Sequence, residues 1–462
     1  MSRQAMKTRA EGGRKARFLT GSIPRHVILM TLMGAVGLMS MFAVDLADLW
    51  FISLLGRVET TAGIGFAGTV SFANLSLALG VGIAAGALAA INIGRHRRIR
   101  GRKYVTSALA VAMGIGGIIT VLVELFTHGI LHGLGATGAA EQQAAIYLRI
   151  VALGFPLLAG AIIFSFALRA SGDPKRAMYV TLIAAVTNAI LDPVYIFGLH
   201  MGIAGAATAT ITANLLSFLI GWHGLSRVHG MLGRPSRAQL KRDGKGIAQI
   251  AIPASLTQLA TPFLFAYIMY ASARFGDEVV AASTIVNRIV PVAFGVVFSL
   301  SGAVGPIIGQ NFGAKNFHRV REAYLFGVVF AVGYTLVMSL VLFALRGRLP
   351  VWFSATGEAA MLVIYYWTWL SWSWVFTGGQ FVAQAAFNNL GKARMSTMFN
   401  WGRATLGTIL PVEILARMMG ARGLFLGAAL GSAIIGTLAV LYGWSLIQRL
   451  ARNKGDDHHG AS

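Results

Sequence analysis

Asn188 and Asp192 stand four residues apart in an apolar stretch, TNAILDPVYIFGLHMGIAGAATAT, running from Thr187 to Thr210. On a helix that spacing puts both side chains on one face. An ionised carboxylate deep in a bilayer costs about 2.5–3.5 kcal/mol on insertion scales, so such a residue usually faces an internal cavity. Pro193 follows directly and removes a backbone donor, which frees carbonyl oxygens beside the carboxylate. The competing role for Asp192 is a cap at a helix kink. A second acidic pair, Asp45 and Asp48, lies three residues apart in FAVDLADLWFISLLG. If the two stretches are neighbours, Asp48 and Asp192 form a carboxylate pair that cannot cheaply hold two charges. Such a pair binds a proton or Na⁺ and can trade it for a cationic substrate. Asp45 sits nearer an interface, where hydration alone would account for it. Thr210 and Asn214 share a helical face, which suits a ligand or plain helix–helix hydrogen bonding.

The elements that must position these residues are membrane helices. The chain has 462 residues, 56% hydrophobic and 12% charged, with a mean hydropathy of +0.68. A soluble protein carries about twice that charged share. Apolar runs long enough to span a bilayer recur, continuous rather than alternating, so helices are expected and a transmembrane barrel is excluded. Twelve spans are expected, at 28–55, 62–93, 105–127, 143–168, 177–198, 203–226, 247–274, 281–311, 324–345, 360–388, 395–416 and 421–447. The first 25 residues are basic and polar and lead into a full-length span, unlike a secretory signal. The absence of cysteine excludes disulfides and thiolate chemistry.

The net charge of +23 is unevenly placed: 30 of the 39 basic residues fall on one side of a twelve-span topology. That bias puts both termini in the cytoplasm of a plasma (inner) membrane protein. It also explains the charge, since the basic loops face anionic lipid; membrane lipids are the expected partners and nucleic acid is not.

The chain repeats itself. A shift of 219 residues lays GALAAINIGRHRRIRGR (Gly86 to Arg102) on GPIIGQNFGAKNFHRVR (Gly305 to Arg321), and Gly172 on Gly391. Both halves begin on the same side and hold six spans, so they read as parallel repeats. The expected fold class is therefore an all-α polytopic membrane protein of twelve helices in two six-helix lobes. The boundaries are 1–227 for the N-terminal lobe, 228–246 for a cytoplasmic linker and 247–462 for the C-terminal lobe. A two-lobed bundle with a central cleft is the shape of a transporter. The halves differ in their acids: the shift carries Asn188 to Gly407 and Asp192 to Pro411.

Other polar features read less sharply. Gln380 and Gln384 are candidate substrate-lining residues of the C-terminal half. Arg288 and Arg403 fall within spans and are expected to snorkel or pair. Trp367, Trp369, Trp372 and Trp374 fit an interfacial belt better than a stacking surface. Phosphate loop, metal cluster and catalytic triad are all missing, which argues against an enzyme and against ATP-driven pumping.

TNAILDPVYIFGLHMGIAGAATAT closely resembles the fifth and sixth helices of the multidrug and toxic compound extrusion (MATE) family. DLWFISLLG resembles the end of that family's first helix, VGPIIGQNFGAKNFHRVREA its eighth helix and following loop, and FALRASGDPKRAM the loop after its fourth. The resemblance implies a V-shaped fold that extrudes substrate by alternating access, driven by inward H⁺ or Na⁺ with no cofactor. It matches Asp48 to the first-helix acid, Asn188 and Asp192 to the fifth-helix pair, Thr210 to the sixth-helix threonine, and Tyr147 to a fourth-helix tyrosine. Acids in helices seven and ten, found in the branch of vibrio Na⁺-coupled exporters, are missing here, so the chain looks closer to the DinF-like branch. It departs from the pattern in having no proline inside the first span, only Gly34 and Gly37.

The leading reading is a monomeric secondary antiporter exporting small amphipathic molecules, often cationic and aromatic. A lipid-linked oligosaccharide flippase is the alternative, though it should carry a strongly cationic cavity. An intramembrane aspartyl protease also needs two membrane carboxylates, but Asp192 lacks a Gly-x-Gly-Asp setting.

Overall fold

In the computed structural model of the chain, residues 16–53 and 58–459 are described, without the side chains of 45, 46, 49, 50, 52, 53, 58–62 and 453–459. All regular structure among them is helical. The N-terminal half holds α1 (Ile23–Ser53), α2 (Val58–Gly94), α3 (Arg98–Gly133), α4 (Gly138–Leu153), α5 (Phe155–Ala170), α6 (Pro174–Pro193) and α7 (Ile203–His223). The C-terminal half opens with α8 (Arg237–Ala273), α9 (Asp277–Gly313), α10 (Phe317–Leu345) and the short α11 (Leu349–Trp352). It closes with α12 (Gly357–Tyr365), α13 (Trp374–Asn389), α14 (Ala393–Ala404), α15 (Leu406–Met419) and α16 (Ala421–His459). Helices are the required solution here, because a lipid-facing backbone must satisfy its own polar groups.

Nine helices among the described residues are long and apolar enough to cross a membrane, and α4 with α5, bent by 50°, make a tenth. The other two expected spans are broken. A π-helical turn, Tyr366–Leu370, and a 3₁₀ turn, Ser371–Ser373, separate α12 from α13. Thr405, at φ −106° and ψ −95°, separates α14 from α15. The twelve passes form the two lobes.

The repeat is visible in the backbone. His96 and Lys315, 219 apart, take positive φ values of 58° and 64°, and Gly172 and Gly391 take 80° and 76°. Asn92 donates to the Leu88 carbonyl at 2.8 Å and Asn311 to that of Ile307 at 2.9 Å, the same bond in each half.

The lobes meet along α1–α9, α2–α8 and α2–α9. They are closed at the end where α2 and α9 terminate. There Gly94 lies against the Gln310 backbone and Gly313 against the Ile91 backbone, so close that a Cβ at either would overlap the opposing carbonyl. A strap formed by Arg17–Leu19 crosses the seam. Its Phe18 amide donates to Gln310 Oε1 at 3.1 Å, and Gln310 Nε2 donates to the Ala170 carbonyl at 2.8 Å. Arg17 reaches the Gly172 carbonyl at 2.9 Å, while Arg319 holds the Phe18 and Gly21 carbonyls. Phe18 and Ile23 share one core cluster with Leu446 and Ile447, so both ends of the described chain lie at this closed end.

Towards the opposite end the seam parts. On α9, Gly302 faces Arg169, Ser299 donates to the Thr31 carbonyl at 2.8 Å, and Gly295 faces Met39. Val292 and Arg288, one and two turns further along the same stripe, are exposed. Among the described residues Arg288 has no ion-pair partner, and it is exposed on the stripe along which the seam parts.

The linker expected at 228–246 is helical over its second half. Ser236 caps α8 by accepting from the Gln239 amide at 3.2 Å, a signature that ends the loop early. Asp243 then becomes fully buried, bonded to Ser107 at 3.0 Å and Arg100 at 3.1 Å. Asp173, in the loop before α6, caps that helix and pairs with Arg176 and His229. Burial alone would raise its carboxyl, but the hydrogen bonds from His229 and Arg176 outweigh it and hold the group well below the usual range. A depressed folded-state value means the stabilisation is full above the unfolded value near ~4 and fades as pH falls through the folded one. Asp173→Asn should cost about 1 kcal/mol at neutral pH, and progressively less below pH ~4, in thermal melts of the detergent-solubilised protein.

Candidate functional site

α1 and α6 pack side by side, which brings the two acidic stretches together. The Asn188 amide nitrogen donates to Asp48 Oδ1 and Oδ2 at 3.1 Å each and to Asp192 Oδ2 at 2.9 Å. One amide nitrogen thus bridges the two carboxyl groups. Asp192 is fully buried, Asn188 is 6% exposed, and Asp48 is partly open. Two carboxyl groups this close hold one proton between them far more readily than two charges.

The cluster has spare acceptors. Among the described residues, Asn188 Oδ1 and Asp192 Oδ1 are buried without a hydrogen-bond partner. Unpaired buried oxygens are costly, and a proton or small cation is what they would take up. Among the described residues no group of three or more His, Cys, Asp or Glu could hold a metal ion.

The local backbone explains the placement. Pro193 ends α6, a π-helical turn Val194–Gly198 follows, and His200 and Gly202 turn the chain with positive φ values of 52° and 55°. Gly205 then lets α7 pack on this turn: a Cβ there would sit 2.7 Å from the Tyr195 carbonyl carbon. Ile196 and Ala206, just past the acids in sequence, pack with Phe51, Phe197 and Tyr147 into an apolar cluster. Phe51 meets Phe197 edge-on at 6.3 Å.

The remaining candidates divide. Tyr147 belongs to that apolar cluster. Thr210 Oγ1 donates to the Ala206 carbonyl of its own helix at 3.0 Å, and Asn214 lies buried against Gly154 at the α4–α5 bend. Among the described residues neither bonds to the acids. The Asp45 side chain lies outside the described residues. Gln380 and Gln384 are buried at 3% and 8% exposure, and Gln380 donates to the Phe399 carbonyl at 3.3 Å. Neither lines the C-terminal lobe's cavity, whose wall from α13 comes from Trp374, Thr377 and Phe381. Reading the sequence missed the strap residues, Arg17, Phe18 and Gln310. The repeated motif that contains Gln310 was the available signal.

Comparison with known proteins follows the same division into halves. The MatE family model matches twice, over residues 35–194 and 253–412. A protein named FAD transporter from Shewanella oneidensis is 28% identical over 425 residues, covering 90% of this chain and 94% of the relative. The multidrug export protein MepA of Staphylococcus haemolyticus is 25% identical, covering 95% and 97%. Among solved structures, one described as an outward-facing conformation of a multidrug resistance MATE family transporter superposes with a TM-score of 0.87. It covers 95% of this chain and 99% of that one at 22% identity, a likeness of fold.

Proposed function

The chain belongs to the MatE family, and from that premise we propose that it is a proton-driven exporter of amphipathic aromatic compounds. It is a multi-pass membrane protein, and relatives named for multidrug export and FAD transport support small-molecule cargo. The DinF-like assignment rests on where the acids lie: Asp48 and Asp192 belong to the N-terminal lobe, while the shifted positions of Asn188 and Asp192 are Gly407 and Pro411. Residues 1–227 and 247–462 act as two lobes about the 228–246 linker in a monomer.

The observation that carries the reading is the Asp48–Asn188–Asp192 cluster with its two unpartnered oxygens. A proton needs one acceptor, whereas Na⁺ would have to gather several from Asp48, Asp192 and Asn188. Protonation from the open end neutralises the pair, and release after the lobes rock restores the charge. A lipid flippase is disfavoured, because the charge at this site is acidic. The deciding measurement is export by purified protein in liposomes with pH and Na⁺ gradients imposed separately. Export driven by Na⁺ alone would overturn proton coupling.

The closed end is assigned to the cytoplasm by the basic-residue bias. The chain has no cysteine, so a single cysteine at Ile99, 74% exposed at the closed end, is a clean reporter. In intact cells it should resist impermeant maleimide, while one at Ser354 should react. The reverse pattern would invert the topology.

A further inference from the structure

The C-terminal lobe holds a partly open cavity of about 110 Å³. Its walls are aromatic: Phe298, Tyr366, Trp374, Phe381 and Phe425 line it together with Arg403. Trp374 stacks on Phe294 at 4.8 Å, and Phe298 meets both Trp374 and Phe381 edge-on, at 5.9 and 5.4 Å. Arg403 is 7% exposed, and its Nε–H is buried without a hydrogen-bond partner. Among the described residues no carboxylate stands in ion-pair reach of it. The expectation that Arg403 snorkels or pairs therefore fails, because α14 breaks just beyond it at Thr405 and leaves the side chain inside the lobe.

A buried guanidinium without a counter-charge is costly, and chains rarely keep one that nothing will pair with. Tyr366 adds a second donor: its oxygen accepts from Trp374 Nε1 at 3.0 Å, which leaves its own O–H free to donate into the same space. Asn287 supplies a further polar group on the wall. Planar guanidinium matches the two oxygens of a carboxylate or phosphate, and aromatic walls hold a ring beside it. The fixed positive charge repels the cationic compounds that the N-terminal acids would attract.

We infer that this cavity is a second ligand site, which takes the oxyanion end of an aromatic ligand on Arg403 with help from Tyr366. Its volume suits the charged end of such a ligand, with the ring against the aromatic wall. The inference rests on the exporter reading only for its place in a transport cycle; binding is measured without transport.

Riboflavin and flavin mononucleotide share one ring system and differ by a phosphate. Binding of each to the full-length protein in detergent is read from flavin fluorescence. The nucleotide should bind about tenfold more tightly, the worth of a charge-assisted hydrogen bond. Arg403→Gln should bring the ratio close to one by weakening the nucleotide alone, and Arg403→Lys should keep part of it. Inorganic phosphate should weaken binding of the nucleotide to the unmodified protein and leave that of riboflavin unchanged, whereas benzoate, which uses the aromatic wall as well, should displace both; this reading needs no variant to fold. Equal affinities in the unmodified protein, a preference that survives Arg403→Gln, or an absence of competition would each overturn the site. Asp192→Asn should keep the ratio. Loss of the ratio beside intact gradient-driven export removes this site alone, whereas an intact ratio without driven export removes the exporter reading alone.

Discussion

Asp192→Asn protein, reconstituted at normal yield, should export substrate no faster than protein-free liposomes, and Asp48→Asn should behave alike. A coupling carboxylate has to exist in two charge states, and asparagine holds only one. The variant retains nearly the same shape and can still bond to Asn188, whose amide now reaches Asp192 at 2.9 Å. It should insert and fold normally, with a melting temperature equal to or above that of the parent, since a charge at a fully buried position is removed. If Asp192 merely capped a kinked helix, asparagine would cap it as well and transport would persist. Export is measured beside ligand-induced proton release in detergent for both single variants and the double. Near-normal export by folded Asp192→Asn would take the residue out of the mechanism.

Gly94→Val should reduce export about fivefold or more for a different reason. Gly94 meets the Gln310 backbone across the seam, and backbone cannot step aside as a flexible side chain can. Overpacking of this kind typically costs about 1–3 kcal/mol, here charged entirely to the closed arrangement. The lobes should then rest apart at this end. A cysteine in place of Ser171, whose hydroxyl is buried in the parent, should react rapidly with maleimide in the variant and slowly without it. Gly114→Val is the control, because a Cβ there meets nothing within 4 Å. Parent-like export by Gly94→Val would mean that this crossing does not limit closure.

Asp48, Asn188 and Asp192 could be found without coordinates because a carboxylate within an apolar run is conspicuous in itself. The turn after Pro193 was equally open to reading, since proline and glycine constrain the backbone locally. The two-lobe arrangement followed from a repeat whose meaning proved to be conformational: His96 and Lys315 share a left-handed backbone that no composition count reveals. Arg403 was misread, since burial of a long side chain depends on where a helix breaks, and Thr405 carries no signal of its own. Gln380 and Gln384 looked like ligand residues because amides in a span look functional; both are buried, and the cavity of their lobe is lined from the same helix by Trp374, Thr377 and Phe381 instead. The strap was only half legible: Gln310 sits in the repeated motif, but its partner Phe18 lies 292 residues away and is not unusual where it stands.

That strap makes apparent affinity depend on the side from which a ligand arrives. If the strap stays with the C-terminal lobe as the end opens, two bonds reaching the N-terminal lobe must break, Arg17 to Gly172 and Gln310 to Ala170. At about 1 kcal/mol each they hold the open-here form to roughly a thirtieth of the population. A ligand offered at this end pays that fraction as a weaker apparent dissociation constant, about thirtyfold, while one offered at the opposite mouth does not. Detergent titrations, which expose both mouths at once, report the tighter value; sealed vesicles loaded from one side report the weaker.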